Sequence, residues 1–160
     1  MGTWGHDAFS NDDSLDWLAE LEETKGVGKV NRALSRAIFL RNASWLLFPV
    51  RKTRIFKGLI LFFAQGSIVH VAGEVVAALG GHPSLDLPKS TSLWVNANRG
   101  DYRKKHAVRA HRALTFIRNK SETRILFDES HESRQWLSGI DDLLKRLLKL
   151  KKKRLIQIST

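Results

Sequence analysis

GLILFFAQGSIVHVAGEVVAAL, residues 58–79, runs for 22 positions with Glu74 as its only charge. A bilayer crossing needs about 20 apolar residues, so length alone would permit a membrane span. The interior of the run argues otherwise. Gln65, Ser67, His70 and Glu74 interrupt it, and Ile68, Ala72, Val75, Val76 and Leu79 recur at the spacing of one helix face. The segment therefore reads as a core helix of a globular domain. A carboxylate on such a helix requires a partner, because an unpaired buried charge costs several kcal/mol or takes up a proton. Glu74 is expected inside, held by a hydrogen bond or an ion pair. His70, one turn earlier, shares its face at a spacing some metal sites use, but no third ligand falls in a local pattern, and no metal is assigned.

Working outward, Gly80-Gly81-His82-Pro83 stops this helix and Leu87-Pro88 restarts a short one carrying Leu93, Trp94 and Ala97. A helix over about 102–118 turns Ala107, Ala110, Leu114 and Ile117 inward, and a brief one starts near Ser121. The last, about 132–149, puts Trp136, Ile140, Leu143, Leu144 and Leu147 on one face. Upstream, Asn11 is suited to cap a helix over about 12–23, with Asp12, Asp13 and Asp16 in its first turns and Leu15, Leu18 and Leu21 as its stripe, Trp17 beside them. After Lys25-Gly26-Val27-Gly28, a second amphipathic helix carries Val30, Leu34, Ala37 and Ile38. Nothing alternates with a period of two. The fold class is all-α: a compact bundle of about six or seven helices in a single domain over 1–149, followed by a basic tail over 150–160.

Charge is placed unevenly. The net charge is +11, yet residues 1–24 hold seven acids and no Lys or Arg, leaving nine acids against 27 bases, a net of +18, in the remainder. Arg103, Lys104, Lys105, Arg109 and Arg112 cluster at one helix start. KRLLKLKKKR, residues 145–154, adds Lys151, Lys152, Lys153 and Arg154. These are the candidate anion-binding residues, suited to nucleic acid, an anionic membrane surface or an acidic protein. No cysteine is present, which excludes disulfides and thiolate chemistry. No basic, apolar signal opens the chain, so a cytoplasmic location is expected, with peripheral membrane association as the variant.

The opening MGTWGHDAFSNDDSLDWLAEL resembles the start of an uncharacterised, mainly bacterial family, the domain of unknown function numbered 4259. Members begin with a similar Met-Gly-x-Trp-Gly, then Phe, Asn-Asp and Asp-Trp. AGEVVAALGGHPSLDLP (72–88) and RALTFIRNKSETRILFDESHESRQWLSGIDDLLKRL (112–147) resemble the family's central helix and its C-terminal helix pair. The resemblance implies a compact helical domain with no assigned activity. Between residues 39 and 66 the chain is longer, more apolar and more basic than the acidic linker the resemblance implies.

No constellation supports catalysis. His6 with Asn11, Asp12 and Asp16 would make a small polar site, but helix capping accounts for the last three. Gly26-Val27-Gly28-Lys29 lacks the strand and spacing of a phosphate loop, and no nucleophile motif is present. The expected function is that of a non-enzymatic protein-interaction module without cofactor or small-molecule substrate. Electrostatic binding of nucleic acid or anionic membrane through the basic patches is the alternative. Trp4, Phe9 and Trp17 are expected to tie the N-terminus to the body. Trp45, Phe48, Phe56, Phe62 and Phe63, rimmed by Arg51 to Lys57, are the candidate interface for a partner or a second copy.

Overall fold

The computed structural model of the chain describes residues 8–10, 12–46, 66–120 and 133–152. Its fold is all-α. The described elements are α1 (Asp12–Glu22), α2 (Gly28–Leu46), α3 (Gly66–Leu79), α4 (Lys89–Asn98), a 3-10 turn (Arg99–Asp101), α5 (Lys104–Lys120) and α6 (Ser133–Lys152). The side chains of residues 40–46 lie outside the described set, as do the brief helix expected near Ser121 and residues 153–160.

α3 is the axis of the domain. Every residue from Val69 to Leu79 is buried, so the helix is enclosed all round, not amphipathic, and Ile68, expected inside, is only half-buried. α1, α2, α4, α5 and α6 all pack against it. Small residues permit the close approach: a Cβ on Gly73 would come within 2.7 Å of Leu114 Cδ1 and 3.2 Å of Leu143 Cδ2. The helix ends as GGHP suggests. Gly81, at φ +92°, turns the chain, while its N–H donates to Ala78 O and that of His82 to Ala77 O at 2.8 Å, satisfying the last carbonyls.

Several helix faces differ from the sequence expectation by one step of rotation. In α1 the buried stripe is Ser14, Trp17, Leu18 and Leu21, and Leu15 stands 47% exposed, because one residue moves the side chain by about 100° around the axis. In α4 it is Thr91, Trp94 and Val95 that turn inward, while Leu93, 66% exposed, and Ala97 face solvent. Polar anchors explain that rotation. Trp94 Nε1 donates to Thr24 O at 2.8 Å, Thr91 Oγ1 to Glu22 Oε1 at 2.6 Å, and the Gly26 N–H to Asn98 Oδ1 at 2.7 Å. The face of α4 is thus set by the α1–α2 turn, whose Gly26 adopts φ +73°. α2, α5 and α6 bury the expected residues, except that Ile38 and Leu144 are half-buried. α6 continues past 149 to Lys152, because Leu150 is buried and packs where a Cβ on Gly80 would sit.

Among the described residues, no helix is long and apolar enough to cross a membrane.

Candidate functional site

Glu74 is the most constrained polar group of the core. It is 4% exposed, and both of its carboxylate oxygens accept from one guanidinium: Arg146 Nη2 reaches Oε1 at 2.6 Å and Nη1 reaches Oε2 at 2.8 Å. Arg146 also donates from Nε to Asp142 Oδ2 at 2.7 Å and from Nη1 to His82 O at 3.1 Å. Burial pushes the Glu74 carboxyl up from its ordinary value, and the Arg146 hydrogen bonds and charge offset that only in part. The partner required by the sequence argument is therefore Arg146. Its signal was hidden in KRLLKLKKKR, where it reads as one of seven surface bases in ten residues although its position next to Leu147 and three after Leu143 flanks the buried stripe. A cleft of about 370 Å³ opens beside the pair, lined by Phe9, His70, Asp86 and Asp142 among others. His70 is buried. Among the described residues, no three His, Cys, Asp or Glu side chains converge as a metal would require.

The opening motif packs as well as charges the N-terminus. Trp17 is buried and Phe9 is half-buried against the core, while Asp12 and Asp16 are exposed in the first turns of α1. Trp4, His6 and Asn11 lie outside the described residues. So do Phe48, Phe56, Phe62, Phe63 and the side chain of Trp45, the whole candidate apolar interface.

The two basic clusters lie on helices that pack on each other. Arg118 pairs with Asp141 at 2.7 and 2.9 Å, holding that carboxyl below its ordinary range, and His111, pushed down by burial, also feels the charge of Lys151. α5 and α6 therefore run antiparallel, and the last turns of α6 lie beside the first half of α5. Of the bases on these two helices, Lys104, Lys105, Arg112, Lys149 and Lys152 are exposed and Lys151 is half-buried. Two residues of the sequence cluster are engaged within the domain: Arg103 caps the preceding turn through Gly100 O and Tyr102 O, and half-buried Arg109 reaches Asn31 Oδ1 at 3.5 Å. Lys153 and Arg154 lie outside the described residues. His106 is a site residue that spacing did not show. It is buried under Tyr102, and its Nδ1 accepts the Arg103 N–H at 3.0 Å, a side-chain cap on the N-terminus of α5.

No curated protein and no solved structure matches the chain. Residues 2–48, which include Phe9, Trp17, α1 and α2, match the family model described as Domain of unknown function (DUF4259). The blocks over 72–88 and 112–147, which hold Glu74 and Arg146, lie beyond that match, so the similarity to that family is carried by the N-terminal α1–α2 portion.

Proposed function

We propose that the protein is a non-enzymatic interaction module that docks an acidic protein partner on the cationic face of α5 and α6. The observation that supports this reading is the antiparallel packing of two helices that both carry exposed bases over stretches free of acids: no Asp or Glu occurs in residues 102–120 or 143–152. Lys145, Leu148, Lys149 and Lys152 share one stripe of α6, and Leu148 is exposed at its centre. An apolar contact ringed by cations suits an acidic, leucine-bearing helix. Nucleic acid is the second candidate for the same bases. Among the described residues, however, α5 and α6 expose no aromatic ring on which a base could stack.

Fluorescence anisotropy tests the reading with three labelled probes: an acidic amphipathic peptide, single-stranded RNA and duplex DNA, each titrated from low to high salt. The peptide is expected to bind, and charge reversal by Lys105→Glu, Arg112→Glu and Lys149→Glu together to weaken it at least tenfold. Nucleic-acid binding with a steep logarithmic salt slope and no peptide binding would transfer the surface to the second candidate. Equal peptide binding by parent and triple variant would refute it.

A further inference from the structure

α1 and α2 border one cleft with stripes of opposite charge at the same helical spacing. Asp13, Asp16 and Glu20 lie on α1, and Lys29, Arg32 and Arg36 on α2. The rung nearest the connecting turn is closed: Lys29 Nζ pairs with Glu20 Oε2 and stands 5.6 Å from the Trp17 ring centroid. The next two are open. Among the described residues, Asp13, Asp16, Arg32 and Arg36 make no ion pair within 4.0 Å. Their side chains instead border a cleft of about 390 Å³, within the range of small-molecule sites, with Trp17, Ala33, Ile68 and Val69 as its apolar lining.

We propose that this cleft binds a small zwitterion, a molecule with an ammonium and a carboxylate joined by an apolar spacer. A carboxylate alone gains the forked guanidinium groups of Arg32 and Arg36 but meets the α1 acids, and an amine alone meets the reverse. Only a ligand carrying both charges satisfies both open rungs at once, while its spacer lies along the apolar lining, where half-buried Ile68 is the most accessible side chain. A metal ion does not fit this lining, since it offers no histidine and its carboxylates stand on one wall opposite cations. The ligand class is an ω-amino acid or a short peptide with free termini. The site shares no residue with the α5–α6 surface, so the two proposals stand or fall separately.

The test is an NMR titration of the full chain that follows the Trp17 indole N–H and the Arg32 and Arg36 side-chain N–H signals. Glycine, 4-aminobutyrate and 6-aminohexanoate vary the spacer, and a dialanine arm separates peptide from free amino acid. Saturable shifts are expected with an optimum among these ligands, and blocking either charge, by N-acetylation or amidation, should weaken binding at least tenfold. Asp16→Asn and Arg36→Gln, both at exposed positions, should each do the same without lowering the melting temperature, whereas Arg112→Gln should leave binding unchanged. Shifts of equal size with the blocked analogues, or no saturable shift with any member of the series, overturn the proposal.

Discussion

Replacing Arg146 by Met removes every donor that holds Glu74 while keeping the length of the aliphatic stem. Glu74 is 4% exposed and Arg146 is the cation that holds it, so the stranded carboxylate is poorly hydrated and has no cation to re-pair with in place. Its escape is to take up a proton. Against the ordinary value of 4.5, protonation at pH 7 costs about 3.4 kcal/mol, at 1.36 kcal/mol per unit. That figure caps the charge penalty; the lost hydrogen bonds add to it, giving a loss of about 3–5 kcal/mol, the range seen when one member of a buried pair is deleted. For a chain of this size the melting temperature should fall by roughly 6–20 °C. Glu74→Leu should cost less, about 1–2 kcal/mol, because Arg146 keeps Asp142 and His82 O and its side chain is 16% exposed. The double variant Glu74→Leu, Arg146→Met should return to within about 1 kcal/mol of the parent, since the two losses describe one interaction. Acidification adds a signed check. A folded-state value above the unfolded one means that proton uptake favours the folded form, a contribution present below the unfolded value and lost as pH rises through the folded one. The Arg146→Met deficit should therefore shrink toward pH 5, where the same proton costs only about 0.7 kcal/mol. Urea denaturation at pH 7 and pH 5 measures all three variants. A loss below about 1 kcal/mol for Arg146→Met at pH 7, strict additivity in the double variant, or a deficit that grows on acidification would refute the reasoning.

Two further outcomes follow from other sites. His106 is pushed below its ordinary value of 6.5 by burial, then by Lys105, Arg109 and Arg103, with Asp101 acting weakly the other way. Its neutral Nδ1 caps α5, so this contribution is complete above pH 6.5 and declines as pH falls from there through the lowered folded value; an NMR titration of the ring showing a value of 6.5 or higher would contradict it. Gly73→Ala gains about 1 kcal/mol of helix propensity yet drives a methyl group to 2.7 Å from Leu114 Cδ1, where both Leu114 and Leu143 are fully buried. Overpacking of about 1–3 kcal/mol should prevail, and calorimetry showing a stabilised variant would contradict it.

The all-α class, the α3 core helix and the burial of Glu74 were legible in the sequence because each depends on local periodicity or on the cost of an unpaired charge. Residues 66–79 could be read as core from their polar interruptions, and the GGHP stop from backbone chemistry that acts over a few residues. The faces of α1 and α4 could not be read to the residue. Leu15 and Leu93 fit an apolar stripe as well as Ser14 and Thr91 do, until the Thr91–Glu22 and Trp94–Thr24 hydrogen bonds, formed between residues about 70 apart in sequence, fix the rotation. Arg146 was invisible for the same reason. A base within a basic run carries no local mark of its role, and only the packing of α6 on α3 separates it from its neighbours, enclosing Arg146 against Glu74 while leaving Lys145 and Lys149 in water. Composition determined how much positive charge the protein carries. The packing of α5 and α6 decided which of those bases stay in water and which are engaged within the domain, because helix packing is set by long-range burial of apolar faces, which leaves the position of the polar ones as its consequence.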